Sequence, residues 1–171
     1  MVRVSLPCLF LCLFAAESFG QTTAVAPQVM DVQNGKIRVT QIAGGLFHPF
    51  SLAMLADGSI LVAEKNGKLR LVREGQLLPD PVWTAPASTS ATASQANDSL
   101  HFVAAHPRFA ENRLVYVSYP KLDVVKGSTL AIARGKLNGA RLEGIQELFV
   151  ADAWETGGNL AGRIFFGPDA S

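Results

Sequence analysis

The chain has 171 residues, of which 49% are hydrophobic and 17% are charged, so it is long and apolar enough to form a packed core. Its formal net charge is +1 at pH 7. A balance so close to neutral gives no electrostatic basis for a nucleic acid or an anionic membrane surface as the partner.

The first twenty residues have the features of a secretory signal peptide. A basic start, Met1 to Arg3, precedes the apolar run Val4 to Ala16, and Ser18 and Gly20 are small residues at the −3 and −1 positions of a cut before Gln21. The run is shorter than the ~20 residues that a membrane span needs, so an uncleaved anchor is the less favoured alternative. We expect a periplasmic or secreted protein without a membrane segment after cleavage.

Both cysteines of the chain, Cys8 and Cys12, lie in this signal peptide, residues 1–20. The mature chain is therefore expected to contain no disulfide, no thiol nucleophile and no thiolate metal site. Residues 21–35 follow as a polar, weakly patterned lead-in. We place the folded domain at residues 36–171.

The rest of the chain has the pattern of short β-strands separated by turns. β-Branched and aliphatic runs alternate with Gly, Asn, Asp and Pro, and no window keeps a helical period. Asn66-Gly67 and Asn138-Gly139 are typical of two-residue type I′ hairpin turns, and Asp57-Gly58 marks a third turn. The sequence predicts an all-β chain with strands at residues 37–42, 50–55, 59–65, 68–74, 101–106, 113–119, 128–137, 143–150 and 163–166.

The strand pattern repeats along the chain. Apolar strand cores followed by Pro, Asp or Asn turns start near Ser51, Phe102 and Arg163, about one propeller blade apart. Antiparallel units at this period favour a β-propeller over a sandwich. Since the smallest propellers have about four blades, we predict a truncated propeller with about two blades and one further strand; the alternative is a complete small β-domain. The Ala-, Ser- and Thr-rich segment Thr84 to Ser99 is predicted to be a loop at a propeller face.

The residue types alone do not identify a reaction. The chain has no His-x-x-x-His pair, phosphate-binding glycine loop or nucleophile elbow, and we predict no metal site in it. Each of the three histidines, His48, His101 and His106, is favoured as structural. The carboxylates are scattered and mostly stand beside turns, where Asp forms local hydrogen bonds: Asp57, Glu64, Asp98, Asp123 and Asp152.

Three sequence blocks, in order, resemble the soluble aldose dehydrogenases that use pyrroloquinoline quinone (PQQ), the glucose/sorbosone dehydrogenase family. They are "HPFSLAMLADGSILVAEKNGKLRLVREGQ" from residue 48, "HPRFAENRLVYVSY" from residue 106 and "NLAGRIFFGPD" from residue 159. The last is similar to the family's "HxGGRLxFGPDG". The resemblance spans nearly all of the mature chain. It implies the N-terminal fragment of a six-bladed propeller, PQQ and calcium on one face, and oxidation of a sugar at its anomeric carbon.

The resemblance also assigns two candidate site residues. In the family a histidine opens the third block and takes the hydroxyl proton while hydride passes to the quinone; the matching residue here is Asn159. An amide can bind a sugar hydroxyl, but it has no site that titrates near neutrality. Asn97 matches a cofactor-facing glutamine, with Ser99 where the family has glycine. The family's calcium ligands and its other cofactor ligands come from later blades.

Two functions therefore remain open. The first is a quinone-dependent sugar dehydrogenase-like protein that acts on a small-molecule sugar. The alternative, favoured by Asn159, is a non-catalytic propeller that binds a carbohydrate or a protein; an unrelated sugar-lactone or scaffold propeller is a third reading.

Overall fold

A computed structural model of the chain describes residues 25–86, 100–156 and 162–169. The regular secondary structure of these residues is almost exclusively β, as predicted. The first element is an exposed hairpin of β1 (Gln28–Val32) and β2 (Gly35–Val39), in which Met30 pairs with Ile37. Strand structure therefore begins inside the stretch 21–35 that we described from its sequence as a polar lead-in.

Two antiparallel sheets follow the hairpin, and each corresponds to one propeller blade. The first has the strand order β3-β4-β5-β6, with β7 also paired to β5; the second has the order β11-β10-β9-β8. The first blade contains β3 (Pro49–Met54), β4 (Ile60–Glu64), β5 (Lys68–Arg73), β6 (Gln76–Leu77) and β7 (Trp83–Thr84). The second contains β8 (Phe102–Ala105), the single turn of helix α1 (Phe109–Asn112), β9 (Leu114–Asp123), β10 (Gly127–Asn138) and β11 (Arg141–Val150).

A shared apolar core joins the two blades. Leu61, Leu69 and Leu71 of the first blade and Val115 and Val117 of the second are fully buried in one cluster. The innermost strands, β3 and β8, also pack against each other. Successive sheets that meet through their faces in this way are the building principle of a β-propeller, which confirms the predicted fold class.

Both predicted Asn-Gly hairpins are present, but their turn geometry differs from the predicted type I′. The β4–β5 loop has three residues, Lys65 to Gly67; Gly67 has φ +78°, and its N–H donates to the Glu64 carbonyl over 3.1 Å. This is the three-residue loop in which one αL residue follows a type I turn. In the second hairpin Asn138 still pairs with Arg141, so the two-residue loop is Gly139-Ala140.

The predicted strand at residues 163–166 is wrong. Residues 162–167 take part in no strand pairing within the described chain, and a strand requires a ladder of hydrogen bonds to a neighbour. The segment instead lies on the second blade through its side chains. The Phe166 ring centroid is 5.3 Å from that of His106 and 5.1 Å from that of Tyr116. Across residues 25–86, 100–156 and 162–169, no helix has the length and apolar character to cross a membrane.

Candidate functional site

The two predicted site residues, Asn97 and Asn159, lie outside the described residues. The described chain resumes at Leu100 after the first and at Gly162 after the second. The geometry of the candidate site is therefore given by the residues on which these two segments are anchored.

Both anchors meet at one residue of β9. The Ser118 carbonyl accepts the N–H of His101 over 2.8 Å, and the Ser118 hydroxyl donates to the Gly162 carbonyl. Ser118 is fully buried. Two segments that are about 60 residues apart in sequence are thus attached to the same strand position.

The chain that leaves β11 is fixed to the second blade before it reaches the Asn159 segment. Ser128 and Glu155 exchange two backbone hydrogen bonds, of 2.8 and 3.0 Å, and the Thr129 hydroxyl donates to the Ala151 carbonyl over 2.8 Å. Gly127 permits this approach, since a Cβ there would meet the Glu155 carbonyl carbon at 2.8 Å. Glu155 and Gly162, which flank the Asn159 segment in the sequence, are therefore both fixed to the second blade.

These anchors lie at one end of both sheets, which we call the Ser118 end. In the second blade it comprises the start of β8, the end of β9, the start of β10 and the end of β11, because neighbouring strands are antiparallel. In the first blade, Glu64 lies at the same end: its carbonyl accepts the N–H of Leu100, the residue before His101, over 3.3 Å.

Glu64 stabilises this end with a buried carboxylate. Its side chain is fully buried; Oε1 accepts the N–H of Phe47 over 2.7 Å, and Oε2 lies 3.7 Å from Nη1 of Arg70. Arg70 in turn donates through Nη2 to the Leu78 carbonyl over 2.8 Å. A buried charge is costly unless it is paired, so Arg70 offsets the charge of Glu64, while the hydrogen bond from Phe47 holds the 46–48 segment against the first blade.

The three histidines occupy different positions. His106 is buried; its Nδ1 accepts the N–H of Arg108 over 3.0 Å and lies 2.8 Å from Nδ2 of Asn112, which is the predicted structural role. It lies at the opposite end of the second blade. His48 is exposed at the start of β3, and His101 precedes β8, so these two lie at the Ser118 end.

Arg163 adds a positive charge to the Ser118 end. Its side chain is exposed, with the guanidinium carbon 4.7 Å from the Phe165 ring centroid and 5.8 Å from that of Phe102. Cation–π contacts hold a guanidinium in place while leaving its N–H groups available to a carboxylate. Within the described segments no group of three or more His, Cys, Asp and Glu side chains could hold a metal ion.

The family profile described as "Glucose / Sorbosone dehydrogenase" matches residues 46–171, which include both blades and the segment at Gly162. The chain belongs to the glucose/sorbosone dehydrogenase family. An uncharacterized protein of Synechocystis sp. is 33% identical over 147 residues, which are 83% of this chain and 35% of that protein. The chain therefore spans about a third of the length of this relative.

Two solved structures show the same fold. A putative oxidoreductase (glucose dehydrogenase) from Thermus thermophilus has a TM-score of 0.61 and 28% identity, over 85% of this chain and 39% of that one. The PQQ-bound form of an aldose sugar dehydrogenase from Streptomyces coelicolor has a TM-score of 0.54 and 22% identity, over 85% of this chain and 40% of that one.

Two residues of the Ser118 end, Glu64 and Ser118, are not among the site residues predicted for this glucose/sorbosone dehydrogenase family member. Glu64 has the sequence context of a carboxylate beside a turn, although its position directly after the apolar run "ILVA" is a signal for burial. Ser118 gave no signal, because a serine in the strand "RLVYVSY" is compatible with either face of the sheet. Its two partners are distant in sequence and become evident only in the fold.

Proposed function

We propose that the protein carrying this chain is a periplasmic or secreted sugar dehydrogenase that uses PQQ and oxidises an aldose at its anomeric carbon. Family membership supports this proposal, as do structural neighbours named glucose dehydrogenase and PQQ-bound aldose sugar dehydrogenase. The observation that carries it is the meeting of His101 and Gly162 at Ser118, because these residues adjoin the two segments that match the family's site motifs.

Chain connectivity supports a common site for Asn97 and Asn159. Asn159 precedes Gly162 by three positions and Asn97 precedes His101 by four. A chain advances at most about 3.6 Å per residue, which limits how far either asparagine can be from Ser118. We assign Asn97 a contact to the cofactor and Asn159 a hydrogen bond to a hydroxyl of the sugar.

The residues of the Ser118 end fit a carboxylated planar cofactor. The exposed Arg163 guanidinium can bind a carboxylate of PQQ, and the neighbouring aromatic rings of Phe102 and Phe165 hold it there. When bound, the quinone supplies the acceptor for the hydride that leaves the anomeric carbon. Calcium is implied only by the family resemblance, and we assign it no ligand among the described residues.

Proton transfer is where this chain departs from its family. The hydroxyl proton of the sugar needs an acceptor, and the amide of Asn159 cannot take it. We propose that the wild-type protein lacks a dedicated general base at this position, so that its oxidation is slow and Asn159→His would supply the missing acceptor.

A second function is favoured by Asn159 itself. A propeller with an amide in place of the base retains hydrogen bonds to sugar hydroxyls while losing general-base catalysis. The protein would then bind a carbohydrate without oxidising it.

The test uses the full-length protein, titrated with PQQ in the presence of Ca²⁺ and then assayed for aldose oxidation with a dye acceptor. We expect PQQ binding and slow oxidation, and we expect Asn159→His to raise kcat by about 10²-fold, the lower bound for general-base catalysis. Asn138→His, at the opposite end of the second blade, is the matched control and should change nothing.

Each other result leads to a different conclusion. Failure of the wild-type protein to bind PQQ would contradict the proposal. Binding of PQQ and sugar with no oxidation by either the wild type or Asn159→His would establish the carbohydrate-binding alternative. Equal gains in Asn159→His and Asn138→His would contradict the assignment of Asn159 to the site.

A further inference from the structure

Ser118 is a polar residue in an apolar part of β9. Val115, Val117 and Tyr119 point into the core between the blades, so Tyr116 and Ser118 lie on the opposite face of the strand. That face meets residues 162–166, where Phe166 packs on Tyr116 and Gly162 lies on Ser118.

The contact between Ser118 and Gly162 is sterically specific. A Cβ on Gly162 would lie 2.7 Å from Oγ and 3.0 Å from Cβ of Ser118, and 2.7 Å from Cδ1 of Leu130. A glycine at residue 162 and a small side chain at residue 118 are therefore both required for this close approach. The hydroxyl then satisfies the Gly162 carbonyl, which would otherwise lose its hydrogen bond inside the protein.

The backbone of Ser118 fixes the second segment. Its carbonyl accepts the N–H of His101, and Phe102 pairs directly with Ser118 across β8 and β9. One residue of a regular, buried strand thus holds both His101 and Gly162 in place.

We propose that Ser118 is a positioning residue of the candidate site, which holds Gly162, and with it the neighbouring Arg163 guanidinium, against the start of β8. Its effect on ligand binding rests on the function proposed above. The hydroxyl holds only Gly162, whereas the carbonyl holds His101. A substitution that removes the hydroxyl alone should therefore loosen one segment and leave the other in place.

The experiment compares Ser118→Ala with Ser59→Ala in the full-length protein. Ser59 is a similarly buried serine in the β3–β4 turn at the other end of the first blade. In Ser118→Ala we expect hydrogen exchange to become about two- to tenfold faster in peptides covering residues 156–163, with no change in those covering 100–105. Ser59→Ala should change neither peptide.

The second measurement is the PQQ dissociation constant. It should rise about two- to tenfold in Ser118→Ala and remain at the wild-type value in Ser59→Ala. If Ser118→Ala fails to fold, Gly162→Ala replaces it, since the added Cβ would lie 2.7 Å from Ser118 Oγ and must displace residue 162, which should shift both measurements in the same direction.

The outcomes separate this proposal from the proposed function. Unchanged exchange in residues 156–163 would overturn the anchoring role of the Ser118 hydroxyl. Faster exchange with an unchanged PQQ dissociation constant would overturn its role in the site. A wild-type protein that binds no PQQ would overturn the proposed function and the positioning role with it, while the exchange data would still report on the anchor.

Discussion

The Tyr119 ring lies in the core between the blades, with its centroid 5.6 Å from that of Trp83. Its hydroxyl donates to Glu147 Oε2 over 3.1 Å, and Glu147 Oε1 is 2.6 Å from Lys121 Nζ. Burial, followed by the charge of Glu147 and this hydrogen bond, raises the pKa of Tyr119 from 10.0 to about 12. The folded protein therefore favours the neutral phenol.

This shift predicts a specific loss of stability at alkaline pH. In the unfolded chain Tyr119 releases its proton near pH 10, so its contribution is complete below pH 10 and is lost between pH 10 and about pH 12. Tyr119→Phe should abolish that part of the pH dependence, measured as Tm from pH 9 to 12 in the full-length protein. Tyr116→Phe is the control and should keep it. Identical slopes for the wild type and Tyr119→Phe above pH 10 would contradict the prediction.

At the scale of single residues, the sequence predicts interactions between close neighbours better than interactions between residues that are distant in sequence. The turn at Asp57-Gly58 was predictable because Asp57 Oδ1 accepts the N–H of Ser59, two residues away, over 3.0 Å. This backbone hydrogen bond also lowers the pKa of Asp57 below its ordinary value of 3.8. The carboxylate of Glu64 acts on Phe47, 17 residues away, and no local pattern encodes that contact.

Hairpins are the elements that the sequence predicts best in this chain. Alternating apolar residues on either side of an Asn-Gly pair identified β4–β5 and β10–β11, because strands and turn are close in sequence. The conformation of the turn itself depends on loop length, which the dipeptide does not determine. Residues 163–166 show where this kind of prediction fails. They are as apolar as a strand, but strand pairing here depends on a neighbour that is distant in sequence.

The β10–β11 turn allows a direct test of its geometry. Gly139 has φ +59°, and a Cβ built there meets no atom within 4 Å, so any cost of substitution comes from the backbone alone. Gly139→Ala should lower the free energy of unfolding by about 1–2 kcal/mol, since alanine is strained in this conformation. Gly139→Asn should cost less, because asparagine tolerates it.

Urea denaturation of the full-length protein measures both Gly139 variants. The informative result is a larger free energy of unfolding for Gly139→Asn than for Gly139→Ala. An alanine variant as stable as the wild type would mean that residue 139 adopts a negative φ and that the hairpin closes through a different turn.

At the scale of the whole molecule, the repeat of strands was sufficient to predict the propeller. The position of the site was not, because Asn97 and Asn159 are 62 positions apart and a common location for them is a proposal that rests on the family resemblance. In the described structure His101 and Gly162 meet at Ser118, one through its backbone carbonyl and the other through its hydroxyl.

The first blade leaves an apolar surface on its innermost strand. Phe50, Leu52 and Met54 alternate along β3 and are 58%, 61% and 72% exposed. In the second blade the corresponding strand, β8, is covered on one side by β3 and on the other by the segment that begins at Gly162. A propeller blade with only one neighbour therefore exposes a sheet edge and an apolar face, which favour aggregation.

This surface predicts opposite effects of one substitution in two contexts. Residues 21–171 alone should aggregate, and Leu52→Lys should reduce light scattering, because a lysine on an edge strand opposes edge-to-edge pairing. In the full-length protein, where we expect a further blade to cover β3, the same change should lower the free energy of unfolding by about 2 kcal/mol or more. Val125→Lys, at an 86% exposed hairpin tip, is the control for added charge. It should neither reduce the light scattering of residues 21–171 nor lower the free energy of unfolding of the full-length protein. A monomeric piece with cooperative thermal unfolding, or a stable full-length Leu52→Lys variant, would contradict a propeller that closes on this face.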